Sequence, residues 1–201
     1  MKKLIQLTLL IFVILNTMRA DAVDSYTTFN HPLFTMSIPS TWHHLSKDQI
    51  KSMFIAEAKR QGVKLKPELI KFDYGFQKYP VTDELYFPTV TITIDANPKL
   101  FSALTLQLNS MTENEMKLTY AQAFKTLSSE MQAIIDVNLE TITFNRNKKL
   151  LVISTKAGIA QTKGYIYIHK ETLIHIVCSQ SIASNAYDNI FSTIINSVKL
   201  K

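Results

Sequence analysis

Between residues 136 and 178 the chain offers four strand-like segments whose links are too short to hold a helix, and this feature narrows the fold most. The segments fall at 136–144, 149–156 and 163–178, the last long enough to fold back as a hairpin. Parallel neighbours need a crossover of about a dozen residues or more, so these strands must pair antiparallel. Lys148-Lys149 and Lys170-Glu171 mark the turns. Leu150-Leu151-Val152-Ile153 is apolar on both faces, which predicts a central strand with cover on both sides. The hairpin has two possible registers. A three-residue loop at 170–172 places Ile166, Ile168, Ile174, Ile176 and Cys178 on one face and Tyr165, Tyr167, His169, Leu173, His175 and Val177 on the other. A two-residue loop mixes these sets, so the three-residue loop is the expectation.

Earlier segments alternate just as clearly. Phe34, Met36 and Ile38 take one face of a strand. Ile70, Phe72, Tyr74 and Phe76 take one face of another, and Val90, Ile92 and Ile94 one face of a third. Three amphipathic helices interleave. Ser46 with Gln49 and Thr112 with Glu115 have the spacing of capping boxes. After the first come Ile50, Met53, Phe54, Ala58 and Gln61, with Gly62 as the stop. After the second come Met116, Tyr120, Ala123, Phe124, Leu127 and Met131. A third helix starts near Ser184 and buries Ile190, Phe191, Ile194, Ile195 and Val198. The order is strand, helix, two strands, helix, four strands, helix. That predicts an α+β fold, an antiparallel β-sheet flanked by about three α-helices.

The N-terminus reads as an address. Lys2 and Lys3 precede a mostly apolar run from Leu4 to Leu15, and Ala20-Asp21-Ala22 supplies a small-residue exit. These are the parts of a secretory signal peptide over residues 1–22, and the run is shorter than the roughly 20 apolar residues of a membrane span. The expected product is one α+β domain, residues 23–201, exported to the periplasm or beyond, with no stable membrane anchor once the leader is removed. The chain carries a formal charge of +6. Removing Lys2, Lys3, Arg19 and Asp21 subtracts a net +2 and leaves +4, scattered rather than clustered. Scattered charge of this size favours solubility and gives no nucleic-acid footprint. Cys178 is the single cysteine, so no internal disulfide can form and the core must hold the fold.

Three stretches together resemble a known family. Phe34-Thr35-Met36-Ser37-Ile38-Pro39-Ser40-Thr41-Trp42 is a strand ending in Pro-x-x-Trp. Tyr86-Phe87-Pro88-Thr89-Val90-Thr91-Ile92 is a Pro-led alternating strand. Phe191-Ser192-Thr193-Ile194-Ile195-Asn196-Ser197-Val198-Lys199 is a terminal helix closing on Ser-x-Lys. The pattern is similar to the Mog1/PsbP-like superfamily, including its small exported bacterial members, over most of residues 29–199. Residues 97–111 depart from it, being longer and more apolar. The resemblance implies a sandwich fold and a non-enzymatic accessory role, binding a protein partner or a small apolar ligand. It carries over no catalytic residue.

Motifs of catalysis are missing. There is no G-x-S-x-G, H-E-x-x-H or P-loop. No catalytic residue, metal site or cofactor is therefore expected. A secreted hydrolase with a dispersed site, or a secreted host-interaction factor, is the alternative. Cys178 sits in an apolar run and reads as a small hydrophobe. His43 and His44, adjacent on extended chain, point apart; His169 and His175 converge only under the three-residue loop. The binding candidates are large apolar side chains in loop-like sequence. Trp42 follows a strand, and packing against the first helix is its default role. Tyr79, Tyr86 and Phe87 lie in the two-proline segment 78–89, and Phe101 in the segment 97–111, which otherwise adds a short strand or helix. Loops rich in large apolar groups either tuck them into the core or present them to a partner.

Overall fold

The computed structural model describes residues 25–60, 71–80, 87–130, 137–157 and 160–201. The leader, residues 1–22, lies outside them. Two antiparallel sheets form the frame. The smaller has the order β1-β2-β10, from β1 (Tyr26–Asn30), β2 (Phe34–Pro39) and β10 (Lys199–Leu200). The larger comprises β3 (His43–Leu45), β4 (Tyr74–Gln77), β5 (Thr89–Asp95), β6 (Val137–Asn145), β7 (Leu150–Ala157), β8 (Ala160–His169) and β9 (Thr172–Ser181). Its order is β3-β4-β5-β9-β8-β7-β6, every neighbour antiparallel. Four helices are described: α1 (Lys47–Arg60), α2 (Pro98–Ser110), α3 (Glu113–Glu130) and α4 (Asp188–Asn196). The α+β class and antiparallel platform are as expected, while α2, β1, β3 and β10 are additions to the predicted elements.

The large sheet is packed on both faces, because its strands carry two different apolar sets. One face presents Phe76, Val90, Ile92, Tyr165, Tyr167, Ile174, Ile176 and Cys178. Phe34, Met36 and Ile38 of β2 and Ile190, Phe191 and Ile194 of α4 close over it. The other face presents Ile142, Leu151, Ile153, Ile168 and Leu173 beneath Leu108 of α2 and Met116 of α3. A third cluster sets Ile50 and Met53 of α1 against Leu45. Burial of each such side chain contributes roughly 1.5–3 kcal/mol, and with no disulfide these clusters carry the stability. The helix between residues 97 and 111 has a plain cause: Phe101, Leu104, Thr105 and Leu108 fall on one helical stripe, and Asn97 Oδ1 accepts the Lys99 N–H at 3.0 Å as the helix begins.

The hairpin register differs from the expectation. His169 pairs with Thr172 and Ile168 with Leu173, a two-residue loop. Lys170 and Glu171 both have left-handed backbone, φ 46° and 59°, as a type I′ turn requires. Tyr165 therefore shares a face with Ile176 and Tyr167 with Ile174, while Ile168, Leu173 and His175 face the helices. The isoleucines need no segregation because both faces are covered. Expected β7 is an inner strand between β6 and β8, beside the edge rather than at the centre. Leu151 and Ile153 are buried, Leu150 and Val152 half-buried.

Candidate functional site

One end of the large sheet gathers the side chains with chemistry to offer. There β9 ends, β8 begins, β5 begins and β4 ends, so residues 78–80 and 87–88, Trp42 and the approach to α4 all meet. Two glutamines build this end. Gln180 is almost fully buried at 4% exposure. Its Nε2 donates to Asp188 Oδ1 at 2.5 Å, and its Oε1 accepts the Tyr187 N–H at 3.2 Å. Gln161 donates from Nε2 to the Ser184 carbonyl at 3.1 Å and to Asn185 Oδ1 at 3.0 Å. Together they fasten the 184–188 segment to the sheet and set where α4 starts.

Beside this clamp lies a cleft of about 280 Å³. Its floor is Tyr165, Cys178 and Phe191. Lys163, Asp188 and Glu140 supply charge, and Ser154, Asn185 and Ser192 supply hydroxyl and amide groups. The Lys163 ammonium stands 5.7 Å from the Tyr165 ring centroid. Glu140 is ion-paired with Lys156. Burial pushes the Cys178 thiol well above its ordinary range, with Lys163 opposing only in part. Burial likewise raises the Tyr165 phenol, and Cys178 adds to the effect. Tyr167, deeper on the same face, is pushed up to about 12 by burial. All three stay protonated at neutral pH, so none is a ready nucleophile or base. His175 cannot assist Cys178. Three residues apart on one strand, they face opposite sides of the sheet. His169 and His175 are separated the same way under the observed register.

The aromatic candidates fall into two places. Trp42 is buried and meets Phe191 edge-on at 6.3 Å. Phe191 in turn lies 6.4 Å from Tyr187, whose hydroxyl accepts from Lys78 Nζ at 3.1 Å. The same Nζ is 5.6 Å from the Tyr79 ring, so Trp42 and Tyr79 belong to one aromatic chain through Phe191, Tyr187 and Lys78. Tyr79 and Phe87 are half-buried, and the Lys78 N–H bonds to the Pro88 carbonyl at 3.4 Å, closing the base of their connection. Tyr86 lies outside the described residues. Phe101 is elsewhere. It sits on α2, half-buried against the cluster on the opposite face, and does not join the others. Sequence reasoning missed the cleft residues Lys163, Gln180 and Asp188. The alternation Gln161, Lys163, Tyr165 on β8 was the available signal, but its face depends on the hairpin register.

These features define a class by fold: an α+β sandwich of PsbP-like type. The chain is similar to the solution structure of cyanobacterial PsbP (CyanoP) from Synechocystis sp. PCC 6803, with a TM-score of 0.59 and 11% sequence identity over 90% of this chain and 95% of that one. Neither a protein-family model nor a curated protein matches the chain. At this identity the likeness concerns architecture, and there the resemblance read from Phe34–Trp42, Tyr86–Ile92 and Phe191–Lys199 is borne out. Among the described residues no helix is long and apolar enough to cross a membrane.

Proposed function

We propose that this protein is an exported, non-enzymatic accessory module that binds a protein partner with the end of its large sheet. The contact surface is the 78–88 connection, with Tyr79, Tyr86 and Phe87 as anchors and Trp42 as their buried support. The observation that carries this reading is the aromatic chain from Trp42 through Phe191 and Tyr187 to Lys78 and Tyr79. It holds Lys78 and Tyr79 in place, Tyr79 and Phe87 are only half-buried, and rigidly held aromatic groups are the usual anchors of interfaces. The neutral, buried Cys178 and the separation of His175 from it favour binding over hydrolysis. Phe101, half-buried against the opposite cluster, is not part of this proposed surface.

The test is capture of a partner by immobilised protein before and after the double substitution Tyr86→Asp, Phe87→Asp. Capture is expected to fall at least about tenfold, since anchor truncations at interfaces cost about 2 kcal/mol or more. Undiminished capture by the folded double variant overturns the reading. Export is tested separately: N-terminal sequencing of protein recovered from cells is expected to begin at Val23, and an intact Met1 refutes the leader.

A further inference from the structure

We propose that the cleft between β8, β9 and the first turn of α4 binds a small zwitterion with an apolar side chain, of the free α-amino acid class. The proposal rests on the reading of the chain as a binding module and assigns it a site apart from the 78–88 connection. Charge comes first. Among the described residues Lys163 has no carboxylate at ion-pair distance, and its ammonium sits over the Tyr165 ring. Asp188, reaching in from α4, accepts one hydrogen bond on Oδ1 from Gln180, and among the described residues Oδ2 has no donor. Glu140, the third charge, is neutralised by Lys156. The cleft thus offers one uncommitted cation and one half-committed carboxylate, on different elements and not paired with each other. A ligand carrying a carboxylate and an ammonium on one short frame satisfies both. A simple anion leaves Asp188 facing a like charge, and a simple cation does the same to Lys163.

Size and floor narrow the class. A volume of about 280 Å³ lies just below the usual ligand-pocket range of roughly 300–1,000 Å³, which suits an amino acid better than a nucleotide. Tyr165, Cys178 and Phe191, exposed 9%, 2% and 6%, form an apolar floor for a hydrocarbon or thioether side chain. Ser154 and Ser192 stand at the rim as hydrogen-bonding groups.

Isothermal titration of the full chain with L-leucine, L-methionine, N-acetyl-L-leucine and L-leucinamide tests this. The two free amino acids are expected to bind one to one. Each blocked form loses one charged contact and should bind about tenfold weaker or worse. Lys163→Gln should weaken L-leucine binding by a similar factor. Asp188→Asn, which keeps an acceptor for Gln180, should do the same. Lys199→Gln, exposed on β10, controls for net charge and should have no effect. Absence of binding by the free amino acids overturns the proposal, as does equal binding of the blocked forms or unchanged affinity in both charge variants. The outcome is separable from partner binding. Lys163→Gln should still capture the partner, and Tyr86→Asp, Phe87→Asp should still bind L-leucine.

Discussion

At the residue scale the half-buried imidazole of His175 is the most consequential ionisable group. It sits on β9 between Ile166 of β8 and Thr93 of β5, and its Nε2 approaches Gly164 so closely that a Cβ there would lie 2.8 Å away. Burial lowers its pKa from the ordinary 6.5 to about 4. The folded state therefore keeps the ring neutral where the unfolded chain protonates it. Stability from this group is complete above about pH 6.5, is lost progressively as pH falls toward about 4, and then levels off. The full loss is at most roughly 3 kcal/mol. Urea midpoints between pH 4 and 7 should show that slope, and His175→Gln should flatten it. An unchanged slope in the variant places the acid sensitivity elsewhere. Cys178, three residues on, is legible from sequence as a small hydrophobe, and its burial agrees.

At the element scale, caps and turns decide where structure starts and stops. Both predicted capping boxes form. Ser46 N–H donates to Gln49 Oε1 at 2.8 Å and Gln49 N–H to Ser46 Oγ at 3.3 Å. Thr112 N–H donates to Glu115 Oε2 at 2.8 Å and Glu115 N–H to Thr112 Oγ1 at 3.3 Å. The Thr112 backbone bond, then its side-chain bond, holds the Glu115 carboxyl below its ordinary value. Such local signals survive in sequence because both partners lie within four residues. The β8–β9 turn shows the opposite case. Lys170 and Glu171 mark the turn in sequence but are poor residues for left-handed backbone, so its two-residue length is not announced locally. Glu171→Gly, on an exposed side chain, should relieve that strain and stabilise the protein by about 1 kcal/mol. Chemical denaturation measures it, and a destabilised variant contradicts the assigned turn.

At the scale of the whole molecule, a hydroxyl ties the end of the terminal helix to the small sheet, beside their shared core contacts. Ser197 Oγ accepts the Ser37 N–H at 2.7 Å and donates to the Ile194 carbonyl at 2.6 Å, joining residues 160 positions apart. Ser197→Ala leaves a half-buried N–H without its acceptor and should cost about 1–2 kcal/mol. Hydrogen exchange at Ser37 should quicken with it, and unchanged protection would show that β2 is held by its strand partners alone. The sequence by itself determined the antiparallel platform, the amphipathic helices with their caps, the reliance on a core without disulfides, and the architectural likeness. Each of these depends on periodicity, link length or residue count, which are local quantities. Tertiary structure alone decided the hairpin register and the meeting of Lys163, Gln180 and Asp188 beside α4. Those depend on which of two covered faces each strand shows to which layer, and when both faces are apolar the alternation in one strand carries no preference between them.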